Sequence, residues 1–138
     1  MTENPDIRSA LEPFRIEIGA INDLLCAASV LTWDSRTMMP AGGAETRGQQ
    51  IATLTRAARD RLLGPDLARA LEPARRAVEA LPEDDPNARA VAQTLAAIAH
   101  HERVPASLVE ARAALRTPAQ AAWTLARERA DFSLFAPF

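Results

Sequence analysis

Ile7, Leu11, Phe14, Ile18, Ile21, Leu25 and Ala28 recur at alternating intervals of four and three residues. That spacing gathers side chains into one stripe of an α-helix. Asn4, Pro5 and Asp6 supply its start: a capping side chain, a proline at the first helical position and an acid at the positive end of the dipole. Pro13 interrupts the pattern and predicts a kink or restart near residue 12, because its ring crowds the preceding turn and removes one backbone bond. Ile16, Ala20, Leu24 and Leu31 add a second apolar face. A helix apolar on two sides calls for neighbours on two sides.

The segment LTWDSRTMMPAGGAE at 31–45 reads as a connecting loop. A second helix then begins at Gly43 or its neighbour, with Glu45 in the first turn and Ile51, Leu54, Ala58 and Leu62 inward. Gly64-Pro65 stops it, glycine acting as a C-terminal cap before a residue that cannot continue the helix. Leu67, Leu71, Val78 and Leu81 mark a third segment, interrupted at Pro73 and ending at Pro82. Asp85-Pro86 opens a fourth, carrying Val91, Leu95 and Ile98 to about Arg103. Pro105 begins a fifth through Leu115, and Thr117-Pro118 a sixth through Trp123 and Leu125 to about Ala130.

No segment alternates with β-branched enrichment, so the expected fold is all-α. It is an antiparallel helical bundle of about five to six helices, kinked at internal prolines and connected up and down by short links. No period of 30 to 45 residues holds in both caps and apolar positions, which leaves a helical solenoid as the lesser alternative. At 138 residues the chain fits a single domain, which at this size buries roughly two-thirds of the surface its unfolded form exposes.

Charge narrows the partners. Sixteen basic residues, all arginine, face 18 acids for a net −2, spread without a basic stripe. Nucleic acid is therefore not expected as a partner. Thirty alanines and the absence of lysine fit a GC-rich coding bias as well as any functional demand. The N-terminus opens with acids rather than a basic region and apolar run, and the apolar stretches read as too short and charge-interrupted to span a bilayer. A cytoplasmic protein with no membrane contact is expected, and the lone Cys26, amid Leu25, Ala27 and Ala28, reads as a small buried hydrophobe.

Candidate chemistry is sparse. His100 and His101 are the only histidines. Adjacent helical residues point about 100° apart, whereas helical metal pairs need a spacing of three or four, so with Glu102 they read as a helix end. Asp34, Glu45, Asp131 and Glu83-Asp84-Asp85 serve acid/base chemistry only if the fold brings two together; capping or solvation is the simpler role. No Gly-x-Ser-x-Gly, phosphate loop, cysteine pair or HExxH is present. In the 31–45 loop, Trp33 and Asp34 with Met38, Met39 and Pro40 either plug a gap above the first two helices or line a groove or interface.

LTWDSRTMMPAGGAETRGQQIATL at 31–54, RVPASLVEARA at 103–113 and AAWTLARERADFSLFAPF at 121–138 together resemble the N-terminal region of the carboxypeptidase Taq family of zinc metallocarboxypeptidases. The blocks fall in family order and the resemblance covers essentially the whole chain. It implies a several-hundred-residue, all-helical parent enzyme that removes C-terminal amino acids from peptides with zinc or another divalent metal. The HExxH helix and the other metal ligands of that family lie downstream of the matched region. No catalytic or metal-binding residue is thus carried over to this chain, and no cofactor is expected in it. The resemblance further implies a lid or scaffold role against a C-terminal catalytic portion, with peptide substrate bound only in the full-length context. Exposed apolar surface would favour a homodimer, and the alternative is a free-standing helical module that dimerises or binds a partner without catalysis.

Overall fold

A computed structural model describes residues 5–138 of the chain. Among the described residues it contains five α-helices and no strand: α1 (Pro5–Thr37), α2 (Ala44–Leu62), α3 (Pro65–Val78), α4 (Pro86–Arg103) and α5 (Ala106–Glu128). Short 3₁₀ turns lie at Ala41–Gly43 and Phe132–Leu134. Helix α1 packs on both α2 and α3, α4 lies against α3, and the C-terminal 3₁₀ turn folds back on α5. The all-α expectation holds.

The core follows the predicted stripe except at Leu25, which is exposed. Leu11, Phe14 and Ile21 of α1 meet Ala58 of α2, then Leu67, Ala70, Leu71, Ala74 and Val78 of α3 and Val91 of α4. Ile7, Ile18, Leu24, Leu62 and Ile98 flank this cluster half-buried. One bidentate ion pair ties α1 to α2: Arg61 Nε and Nη2 donate to Glu17 at 2.9 and 3.3 Å.

The predicted restart at Pro13 is absent, for α1 runs unbroken through it. Pro13 and Ser9 are both exposed, so the carbonyl deprived of its helical partner lies on the solvent side, where water can satisfy it. Pro73 is likewise exposed within α3. The predicted break at Thr117-Pro118 also disappears, and the fifth and sixth segments form the single helix α5. The N-cap assigned to Asn4 lies outside the described residues.

Helix ends show what the local signals meant. Asp85 caps α4 as expected, its Oδ1 accepting from the Asn87 amide at 2.8 Å, with Pro86 at the first helical position. Helix α3 stops at Val78 rather than Pro82, and Leu81 closes a turn by donating to the Val78 carbonyl. Gly64 is a correction: it sits in extended backbone (φ −80°, ψ 161°) as the N-cap of α3, not as a left-handed C-terminal cap. Its role is close approach, since a Cβ there would lie 2.9 Å from the Asp60 carbonyl oxygen.

Helix α5 closes with a Schellman arrangement, Asp131 N–H bonding the Ala126 carbonyl and Ala130 N–H that of Arg127. The left-handed position is Ala130 (φ 50°) instead of the usual glycine. Ala130→Gly is expected to raise stability by about 0.5–1 kcal/mol in urea denaturation. An unchanged or lower midpoint would show that the alanine is not strained there.

The accessible surface is 10,067 Å². A compact monomer of 14.9 kDa exposes about 7,000 Å², and its unfolded chain about 21,600 Å². The fold thus buries little more than half its unfolded surface, short of the two-thirds expected from length. Roughly 3,000 Å² is exposed that a complete globule of this mass would cover.

Candidate functional site

The tryptophan-to-proline segment is built differently from the loop its sequence suggests. Trp33 and Asp34 belong to the last turn of α1, and the connector shrinks to residues 38–43. The helix closes when the Asp34 carbonyl accepts from the amides of Met38 and Met39 at 3.0 and 3.1 Å. Met39 then turns back half-buried over the 3₁₀ turn, its Cγ 3.1 Å from where a Cβ on Gly43 would stand. Gly43 makes room for that methionine.

Asp34 is an acid at the negative end of a helix, an unfavourable place for a carboxylate. Arg47 from the first turns of α2 offsets this, with Nη1 2.7 Å from Asp34 Oδ2. The contact is an ion pair and not an aligned hydrogen bond, because Oδ2 is buried without a well-directed donor. Arg47 is the partner that sequence reading missed; the signal was a lone arginine in the first turn of the following helix.

The plug reading fails for Trp33, which is 62 % exposed, and for Met38, 74 % exposed. Pro40 is exposed as well. Only Asp34 and Met39 are half-buried. Trp33→Ala should therefore change stability by no more than about 0.5 kcal/mol, whereas a loss of several kcal/mol on thermal melting would return the indole to the core.

Cys26 is exposed, contrary to its expected burial among apolar neighbours. Ile16 on the second face of α1 is also exposed, while Ala20, Leu24 and Leu31 are half-buried. The expectation that no stretch suits a bilayer needs correction too: an 18-residue window of α1 reaches a mean hydropathy of 1.3, enough in length and composition to cross one. One stripe of this helix packs in the core and Glu17 pairs with Arg61, while only 11 % of the apolar window is buried.

Two of the candidate acids are caps. Asp85 caps α4 and Asp131 caps the C-terminal turn, where the Ser133 hydroxyl and amide hold its carboxyl below the usual range. Among the described residues no group of three or more His, Cys, Asp or Glu stands close enough to hold a metal. The two imidazoles lie edge to face, 5.7 Å between centroids and 78° between planes. This donor set does not fit a catalytic zinc ion, which takes three protein ligands.

His101 ends α4 near Arg59 of α2, whose Nη2 donates to the His101 carbonyl at 3.4 Å. Burial, then the Arg59 charge, then His100 hold the imidazole below its ordinary value of 6.5, opposing the pull of the helix dipole. Protonation is harder folded than unfolded, so this group's contribution is complete above pH 6.5 and is lost as the pH falls through the lower folded value. Stability rises with pH across that window. Thermal melts between about pH 5 and 7 should show a smaller rise in His101→Gln; an identical slope would assign the effect to another group.

At the C-terminal end, Phe135 stands at the centre of an aromatic cluster: Trp123 packs edge-on at 5.3 Å and Phe132 at 6.1 Å, and Phe138 stacks at 6.4 Å. These contacts fold the DFSLFAPF segment back onto α5. Trp123, Phe132 and Phe138 nonetheless stay 41, 67 and 48 % exposed.

Comparison with known proteins places this architecture. No curated protein matches the chain. A solved structure of a Pyrococcus furiosus carboxypeptidase in its apo-Mg form superposes with a TM-score of 0.73 at 26 % identity, covering 99 % of this chain and 26 % of that one. A second solved structure, described as that of CHT, gives a TM-score of 0.65 at 28 % identity over 97 % of this chain and 26 % of its own. The chain spans about a quarter of the length of these relatives. The family model of the carboxypeptidase Taq (M32) metallopeptidases matches residues 14–138. Nearly the whole chain lies within that match, and it belongs to the carboxypeptidase Taq (M32) metallopeptidase family.

Proposed function

We propose that this chain is the N-terminal helical part of a metal-dependent carboxypeptidase that releases C-terminal amino acids from peptides. It acts as scaffold and lid for a catalytic portion that supplies the metal ligands and the general base. The observation that carries this reading is the family match over residues 14–138 combined with coverage of only 26 % of the solved carboxypeptidase. The excess of exposed surface agrees with it: helices that remain open by themselves are the expected state of one part of a larger helical body. Its expected compartment is the cytoplasm.

In this reading the 138 residues neither bind zinc stoichiometrically nor hydrolyse peptides alone. The test is the purified chain, titrated with zinc and assayed on a blocked dipeptide. A blank-level rate and no tight metal site are expected. Stoichiometric metal together with turnover would overturn the proposal.

The exposure of Trp33 and Met38 favours a second reading, a free-standing module that pairs with a second copy through apolar surface. The coding DNA separates the two, an open frame running on into an HExxH helix favouring the first, whereas light scattering tests the exposed apolar surface that both readings invoke. A mass that stays at 14.9 kDa up to high concentration counts against the module.

A further inference from the structure

The core stripe of α1 has a counterpart on its back. Ile16, Gly19, Asp23, Cys26, Val30, Trp33 and Thr37 alternate spacings of three and four, which on one helix forms a single seam. All seven are exposed, and a Cβ added at Gly19 would meet nothing within 4 Å. The small residues Gly19 and Cys26 are interspersed among the larger Ile16, Val30 and Trp33, which leaves room for a facing helix to approach. The seam leads directly into the Trp33–Pro40 patch.

We infer that this back seam of α1 is a docking surface for a helix of the catalytic body that makes up the other three quarters of a family member's length. This rests on the reading proposed above. Two further observations select the occupant. The whole chain exposes roughly 3,000 Å² beyond a compact monomer, the seam being one part of that excess, and the total is of the size buried in permanent rather than transient interfaces. The family relatives carry about three times this chain's length outside the superposed part, enough polypeptide to cover it. Asp23, midway along the seam, calls for a basic or hydrogen-bonding side chain on the covering helix.

Cys26 lies in the middle of the seam and reports on its cover. The experiment compares maleimide labelling of Cys26, read by peptide mass spectrometry, in two settings. One is the isolated chain, diluted until light scattering gives a monomer. The other is a chimera in which this chain replaces the superposed quarter of the Pyrococcus furiosus carboxypeptidase, made alongside a mixture of this chain with the separately produced remainder of that enzyme. Labelling is expected to slow by about tenfold or more in the assembled forms. Val30→Glu should leave the isolated chain helical by circular dichroism yet prevent assembly.

An assembled, peptide-hydrolysing chimera in which Cys26 labels at the isolated rate keeps the functional reading and overturns the docking surface. Protection that rises with concentration in the isolated chain gives the seam to a second copy and overturns it as well. If neither chimera nor mixture assembles, the functional reading fails and the inference falls with it.

Discussion

Replacing Leu67 by alanine is expected to lower the unfolding free energy by about 3 kcal/mol or more. Leu67 is fully buried, as is Leu11, and the two are the largest side chains to be so. Leu67 belongs to the first turn of α3 and shares one cluster with Phe14 and Ile21 of α1 and Ala58 of α2. Truncation there leaves a cavity that alanine-rich surroundings have few long side chains to fill, so the loss adds a cavity term to the lost transfer energy. The chain buries less of its surface than its length allows. A change of this size is therefore a large share of a domain stability of about 5–15 kcal/mol. Urea denaturation followed by circular dichroism would read it. A shift of less than about 1 kcal/mol would mean that α3 is not an anchor of the core.

Gly64→Ala is the second large effect, expected at about 1–2 kcal/mol. Its backbone is ordinary extended chain that any residue adopts, so left-handed strain plays no part. The difficulty is contact. The new Cβ would stand 2.9 Å from the Asp60 carbonyl oxygen and 3.3 Å from that of Arg61, and both acceptors are backbone atoms of α2 that cannot swing aside. Relief requires α3 to move away from the end of α2, which weakens the packing of Leu67 three residues on. A melt indistinguishable from that of the parent chain would show that the α2–α3 corner is slack.

Gly64 also shows how far the sequence could be read. Gly-Pro marked the helix boundary correctly, because proline at 65 cannot accept the preceding helix's bonding pattern whatever surrounds it. It did not reveal why glycine was needed, since the close carbonyl comes from the angle between two helices. Asp85-Pro86 was legible in both respects, for a cap and a first-turn proline act within four residues. The restart read at Pro13 and the new helix start read at Pro118 do not occur: proline weakens a helix locally, yet α1 and α5 continue through these positions because propensity yields to the rest of the helix and its packing.

The candidate site was less legible. The family blocks at 31–54, 103–113 and 121–138 identified the lineage, and Trp33 and Met38 stood out as unusual residues. Their helical and turn placement, the Arg47 partner of Asp34 and the exposure of Cys26 were not visible. The back seam of α1 escaped notice because three of its seven positions are Gly, Asp and Thr, which do not register as apolar although their spacing is regular.

The sequence by itself determined that the chain is helical, where most helices start, which face of α1 enters the core, and the family to which the chain belongs. Those properties depend on periods, caps and residue identities that act over a few turns. Tertiary structure alone decided which apolar residues are covered. Burial is a relation between surfaces: Leu11 is enclosed because neighbouring helices pack on α1 there, and Trp33 is 62 % exposed because the described elements cover little of it.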